Sequence, residues 1–261
     1  MEANVDEKKA GAKKQIIIIY TVVALLAAGM LTWFLKLADH SEVRAKTTAA
    51  EGIAKAREQM KKTVVDSIGQ IKLLDLTADM KAVNQLGKEV SMQDLKGKVW
   101  VFAQFYGSCP ECNSTNLGVL KELYEKYKGN ENFQIVTVSV KADEDAVTLM
   151  KNMADGYEAD VKNWWFLSAD VERVNEFCQK EMGYMKFAAN KVKKNPGPED
   201  MLGEINHDMR VAVFDADMGM WAHVDLFRPM KAHDTLGAEL AHDKLFLTVE
   251  WCLKQLENKK N

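Results

Sequence analysis

Cys109 and Cys112 are separated by only two residues, in a chain with four cysteines in all. A Cys-x-x-Cys pair supports three chemistries: a reversible disulfide, a chelate for a soft metal, or half of a four-ligand zinc site. The zinc reading needs a second close Cys or His pair, and the sequence has none. The pair follows an apolar run and precedes a stretch with helical spacing. A helix N-terminus there would favour the thiolate of Cys109, and Pro110 suits a first helical turn that needs no N–H. Metal binding and thiol–disulfide exchange both remain open on these residues.

A dithiol catalyst on a strand–CxxC–helix unit is expected to have a cis-proline just before a later strand. The remaining prolines, Pro196, Pro198 and Pro229, do not immediately precede the candidate strand Arg210–Phe214. Asn206-His207-Asp208 stands there instead. A histidine in that loop completes a set of two cysteines and one imidazole, which suits Cu(I). His223, near Met218 and Met220, reads as a half-exposed strand histidine beside gap-filling methionines, with a copper-loading route as the sharper alternative. Cys178 and Cys252 fall in amphipathic stretches and read as inert core thiols. Asp143, Glu144 and Asp145 read as a helix N-terminal charge cluster. Lys191–Glu204 reads as a loop that folds over a bound metal. Trp164 and Trp165 are adjacent, so on a strand they face opposite sides and one is core.

The elements that must hold these residues follow from periodicity. Residues 71–90 suggest a hairpin, VWVFAQFY (99–106) a buried strand and 113–128 a helix. FQIVTVSV (133–140) reads as a second buried strand, 144–157 as a helix, NWWFL (163–167) as a short strand and 171–184 as a helix. Residues 210–227 read as two strands joined by a turn carrying Asp215, Asp217 and Gly219, followed by a closing helix over 235–257. This order predicts one α/β domain, a central mixed sheet flanked by helices, over residues 68–261.

Upstream, residues 16–35 (IIIIYTVVALLAAGMLTWFL) contain no charge. Twenty residues at about 1.5 Å each span about 30 Å, the thickness of a bilayer's hydrocarbon core. The run is longer than a signal-peptide core and lacks a small-residue cleavage pattern after it, so it reads as an uncleaved transmembrane helix. Residues 1–15 then form a cytoplasmic tail and 36–67 a helical stalk. The soluble domain is placed outside the cytoplasm, at a bacterial inner membrane. Thirty-five Lys+Arg against 38 Asp+Glu give a formal net charge of −3, with no dense basic stripe. That balance excludes a nucleic-acid partner.

The sequence resembles the SCO/SenC family over about residues 68–227. The lead-in VSMQDLKGKVWVFAQFYGSCPEC, the strand and acidic turn FQIVTVSVKADED, and the histidine loop and turn EINHDMRVAVFDADMGMW occur in the family's order. Three departures stand out. The cysteine spacing is C-x-x-C where the family usually has C-x-x-x-C. Asn206 occupies the place of an Asp before the histidine. Lys141-Ala142 replaces the Asp-Pro of an S-V-D-P turn. The resemblance implies a thioredoxin-like domain behind the anchor, serving cytochrome c oxidase assembly. It implies copper as cofactor, Cu(I) and secondarily Cu(II), held by Cys109, Cys112 and His207. The copper-bearing oxidase subunit is the implied partner. The shorter spacing also favours thiol–disulfide exchange, with Cys109 attacking and Cys112 resolving, on client cysteines.

Overall fold

The structure is a computed structural model and describes residues 26, 28–33, 36, 51–109, 115–141, 146–189 and 205–260. The chain divides into two compact units, Met1–Gln59 and Met60–Asn261. In the first, residues 26, 28–33, 36 and 51–59 are helical. The uncharged run at 16–35, expected to be a transmembrane helix, lies largely outside the described residues. Among the described residues no helix is long and apolar enough to cross a membrane.

The second unit holds a six-stranded mixed sheet. Its strands are β1 (Leu74–Asp75), β4 (Val99–Phe105), β5 (Phe133–Ser139), β6 (Trp164–Leu167), β9 (Arg210–Phe214) and β10 (Gly219–Asp225). The order across the sheet is β1-β10-β9-β4-β5-β6. β4 and β5 are parallel and joined through helix α1 (Asn116–Tyr127). Helix α2 (Ala146–Gly156) links β5 to β6, and α3 (Val171–Met182) follows β6. The β9–β10 hairpin lies on the other side of β4, with β9 antiparallel to it. A short helix α4 (Phe227–Lys231) then leads into the long closing helix α5 (Thr235–Lys260), which packs on β4, β9 and β10. A strand–helix–strand unit followed by a hairpin and a helix, with the hairpin beside the first strand, is a thioredoxin-like arrangement.

Every residue of β4 and β5 is buried, on both faces of the pleat. That fits continuous apolar runs covered by helices on each side. Trp100 stacks on Phe214 across β4 and β9, with centroids 4.0 Å apart. Trp164 is wholly buried while Trp165 is half-buried, as alternation along a strand requires.

Helix α1 buries Leu117, Leu120, Leu123 and Tyr124 at the expected spacing. It begins at Asn116, and Pro110–Ser114, with Cys112 among them, lie outside the described residues. So do Asp143, Glu144, Asp145 and the Lys191–Glu204 loop.

The 71–90 hairpin expectation needs correction. Only β2 (Lys81–Val83) and β3 (Glu89–Ser91) form a hairpin. Leu74–Asp75 instead pairs with the start of β10, where Leu73 N–H donates to the Met220 carbonyl at 2.8 Å and Leu76 N–H to that of Met218 at 3.0 Å. The edge of a six-stranded sheet offered more paired backbone than a local turn. A two-residue pair, β7 (Ala188–Ala189) with β8 (Ile205–Asn206), was not visible in the sequence because each strand is shorter than one period of any pattern.

Candidate metal centre

The β4–β9 ladder decides where the histidine goes. Trp100 pairs with Phe214, Val101 with Val213 and Phe102 with Ala212. Each step forward on β4 is a step back on β9, and the paired ladder ends at Phe102 and Ala212. Beyond the ladder, the contact of the Tyr106 and His207 rings brings the loop before β9 to the residue that opens the Cys109 turn. That turn closes with Cys109 N–H donating to the Tyr106 carbonyl at 3.0 Å. Cys109 is buried at 3% exposure, and Cys178 and Cys252 are buried free thiols.

Tyr106 joins the two loops. Its ring is fully buried and meets the His207 ring edge-on, with centroids 5.7 Å apart and planes at 80°. Its hydroxyl accepts from Ile205 N–H at 3.4 Å. His207 itself is 5% exposed. Burial lowers its pKa, against the weaker opposing pull of Asp208, so the imidazole is neutral at pH 7. Nδ1 lies 3.1 Å from the Asp208 carbonyl oxygen. A carbonyl only accepts, so Nδ1 carries the proton and Nε2 keeps the lone pair a metal needs.

The loop is pinned from below by a residue that stands out in the sequence, the lone polar side chain of β4. Gln104 is 1% exposed, and its Oε1 accepts from Asp208 N–H at 3.1 Å. The Asp208 carboxylate accepts from Arg210 Nε at 2.9 Å, Arg210 Nη2 at 2.7 Å and Met185 N–H at 3.1 Å. Burial pushes the Asp208 pKa up, but these bonds and the Arg210 charge together outweigh it and hold it below its ordinary value. Sequence reasoning missed Tyr106, Gln104 and Asp208. A signal existed for two of them: a glutamine inside an apolar strand, and an acid two residues before an arginine.

Other candidates fall away from the centre. Met218 and Met220 are 2% and 1% exposed and belong to the core, so they offer no sulfur to a metal arriving at His223. His223 is half-buried, with Nδ1 3.3 Å from Arg210 Nη1. Burial first, and then the Arg210 charge, push its pKa down to about 4. Burial pushes the thiols of Cys178 and Cys252 up to about 12, as inert core cysteines require. The Asp215 carboxylate accepts from the backbone N–H of Asp217 and Gly219 and from the Trp221 indole, so it builds the hairpin turn. Among the described residues no group of three or more His, Cys, Asp or Glu could hold a metal ion, and Cys112 lies outside them.

The SCO1/SenC family model matches residues 70–242, about two thirds of the chain and all of the sheet. The chain belongs to the SCO1/SenC family. It is 30% identical over 121 residues to the SCO1 protein homolog of Bacillus subtilis (strain 168), covering 46% of this chain. The match spans 59% of the length of that relative. Among solved structures, the SCO1/SenC family lipoprotein of Bacillus anthracis str. Ames aligns at 21% identity and a TM-score of 0.49, covering 64% of this chain and 94% of that one. ScoI of Bradyrhizobium japonicum, solved with copper bound, aligns at 21% identity and a TM-score of 0.46, covering 63% and 97%. For a SCO1/SenC domain the chemistry of the pieces is coherent: a neutral imidazole of fixed tautomer beside a cysteine-bearing turn.

Proposed function

We propose that this SCO1/SenC protein binds Cu(I) through the thiolates of Cys109 and Cys112 and the Nε2 of His207, and passes it by ligand exchange to a copper site of a terminal oxidase during assembly. The copper-bearing subunit of cytochrome c oxidase is the client this reading names. The transmembrane helix at 16–35 holds the domain on the outer side of a bacterial inner membrane. Copper here is cargo, so the site must grip and release. Two sulfurs and one nitrogen leave an open coordination position through which a client ligand can enter.

The observation that supports this reading most is the contact of the His207 ring with Tyr106, whose carbonyl accepts from Cys109 N–H. The neutral, Nδ1-protonated imidazole fits the role of third ligand. The test is Cu(I) titration of the reduced protein with X-ray absorption, expecting two sulfur neighbours and one nitrogen. His207→Ala should weaken Cu(I) binding by at least about tenfold. Unchanged affinity in that variant would remove the three-ligand arrangement.

A second reading uses the same pair as a thiol–disulfide oxidoreductase that keeps client cysteines reduced. The two-residue spacing of the cysteines favours it. His207→Ala separates the two, because disulfide exchange by the cysteines should survive it.

A further inference from the structure

We propose that Met185 and Met209, together with His207, form a loading site for Cu(I), distinct from the thiolate site and feeding it. The proposal rests on the Cu(I) reading above and names the route by which the cation arrives.

A pocket of about 400 Å³ opens beside His207, and both methionines line its wall. Neither is fully buried, although Met209 also packs against the core. Met185 is 46% exposed and Met209 is half-buried, in contrast to Met218 and Met220. Their backbones are fixed. Met185 N–H donates to the Asp208 carboxylate at 3.1 Å, and the Met209 carbonyl accepts from the Asn116 side-chain amide at 2.7 Å. Asn116 is 1% exposed and opens α1, the helix that follows the cysteine pair in sequence.

The pocket's charges select the class of cation. Its two carboxylates are already committed: Asp208 to Arg210 at 2.7 Å, and Asp225 to Arg228 at 3.2 Å. A hard divalent cation therefore meets paired carboxylates and two arginines. The donors that remain are two thioether sulfurs and an imidazole, which are soft, neutral ligands. Such a set suits a soft monovalent ion and holds it weakly, because no anionic ligand contributes. His207 is common to this pocket and to the Cys109 turn, through the Tyr106 ring. The cation can thus keep its imidazole while thioethers leave and thiolates arrive. Copper stays Cu(I) throughout, and each cysteine thiol gives its proton to solvent as it ligates.

The experiment uses the full chain carrying Cys109→Ser and Cys112→Ser, labelled with methyl-13C methionine and titrated anaerobically with Cu(I) in acetonitrile-containing buffer. The methyl resonances of Met185 and Met209, assigned by Met→Leu substitution, should move and saturate together. Those of Met218 and Met220 should stay. Adding His207→Ala should weaken this binding by about tenfold or more. Stationary Met185 and Met209 resonances would overturn the proposal. In the chain with both cysteines, Met185→Leu with Met209→Leu should slow Cu(I) uptake while leaving the final affinity unchanged. An unaltered uptake rate would overturn it as well. Failure of the intact chain to show two sulfurs and one nitrogen would remove the Proposed function reading, while the methyl titration still decides this one.

Discussion

At the scale of single residues, the loop that carries His207 is held by a buried acid. Asp208 follows His207, and its carboxylate is met by Arg210 and the Met185 N–H. Replacing it by Asn leaves Arg210 without its partner and should cost about 1–3 kcal/mol, discounted because Arg210 is partly exposed. Urea denaturation at pH 7 measures this. Its pKa is lowered in the folded state, so the pair's stabilisation is present above the unfolded value near 4 and is lost as pH falls through the folded value. The gap between wild type and Asp208→Asn should accordingly narrow below about pH 4. A gap that stays constant to pH 2.5 would show that the carboxylate charge contributes nothing. His223 acts in a different window. Its folded pKa lies at about 4, whereas an unfolded histidine titrates near 6.5. Between those values the unfolded chain takes up a proton that the folded chain refuses, so stability declines as pH falls from about 6.5 to about 4. Among the described residues its buried Nε2 has no hydrogen-bond partner, which fits a ring kept neutral. His223→Phe keeps a ring against Tyr184 and removes the titration. Its melting temperature should therefore fall less steeply than wild type between pH 6.5 and 4.5, and parallel curves would refute the assignment.

At the scale of elements, the strands and helices near the site were legible because each carries several turns or alternations of a pattern. β4, β5, α1 and the β9–β10 hairpin fall within a few residues of the spans expected from periodicity. The pairing of β4 with β9 was not legible. Register across a hundred residues is set by the packing of whole faces, and no local pattern encodes it. That is why His207 could be suspected from the loop it occupies, while Gln104 stood out only as a lone polar residue in an apolar strand and Tyr106 gave no signal. The sheet's outer edge shows the same limit. β6 is the last strand, and Gln85, 3% exposed, caps it where a further strand would pair. Its Nε2 donates to the Trp164 carbonyl at 2.7 Å, and its Oε1 accepts from Phe166 N–H at 3.0 Å. One amide side chain thus satisfies the edge as a neighbouring backbone would. Gln85→Leu preserves the bulk but orphans a buried donor and a buried acceptor, which should cost about 2–4 kcal/mol. The midpoint of chemical denaturation reads this directly, and a variant within about 0.5 kcal/mol of wild type would show that water replaces the amide.

At the scale of the whole molecule, the proposed delivery role requires the protein to meet a client. Cargo exchange between two proteins is limited by encounter, and tethering one partner to the membrane that holds the other raises the effective concentration of the site. The chain contains a segment able to supply that tether. Residues 16–35 are twenty uncharged residues, with Lys13 and Lys14 shortly before them and Lys36 directly after. A soluble role for this stretch would demand burial of an apolar surface on all sides of a helix, which a small appended segment cannot provide for itself. The full chain should therefore sediment with membranes and resist extraction by alkaline carbonate, while yielding to detergent. Deleting residues 1–35 should release the Met60–Asn261 unit into the soluble fraction with its Cu(I) affinity intact, because every ligand proposed lies in that unit. Oxidase assembly in cells should nonetheless fall with the truncated chain, since the site would then meet its client only by free diffusion. Recovery of the full-length chain in the carbonate-soluble fraction would end the tether argument without touching the metal site. Loss of Cu(I) affinity in the truncated chain would mean that the site needs more than the domain that carries its ligands.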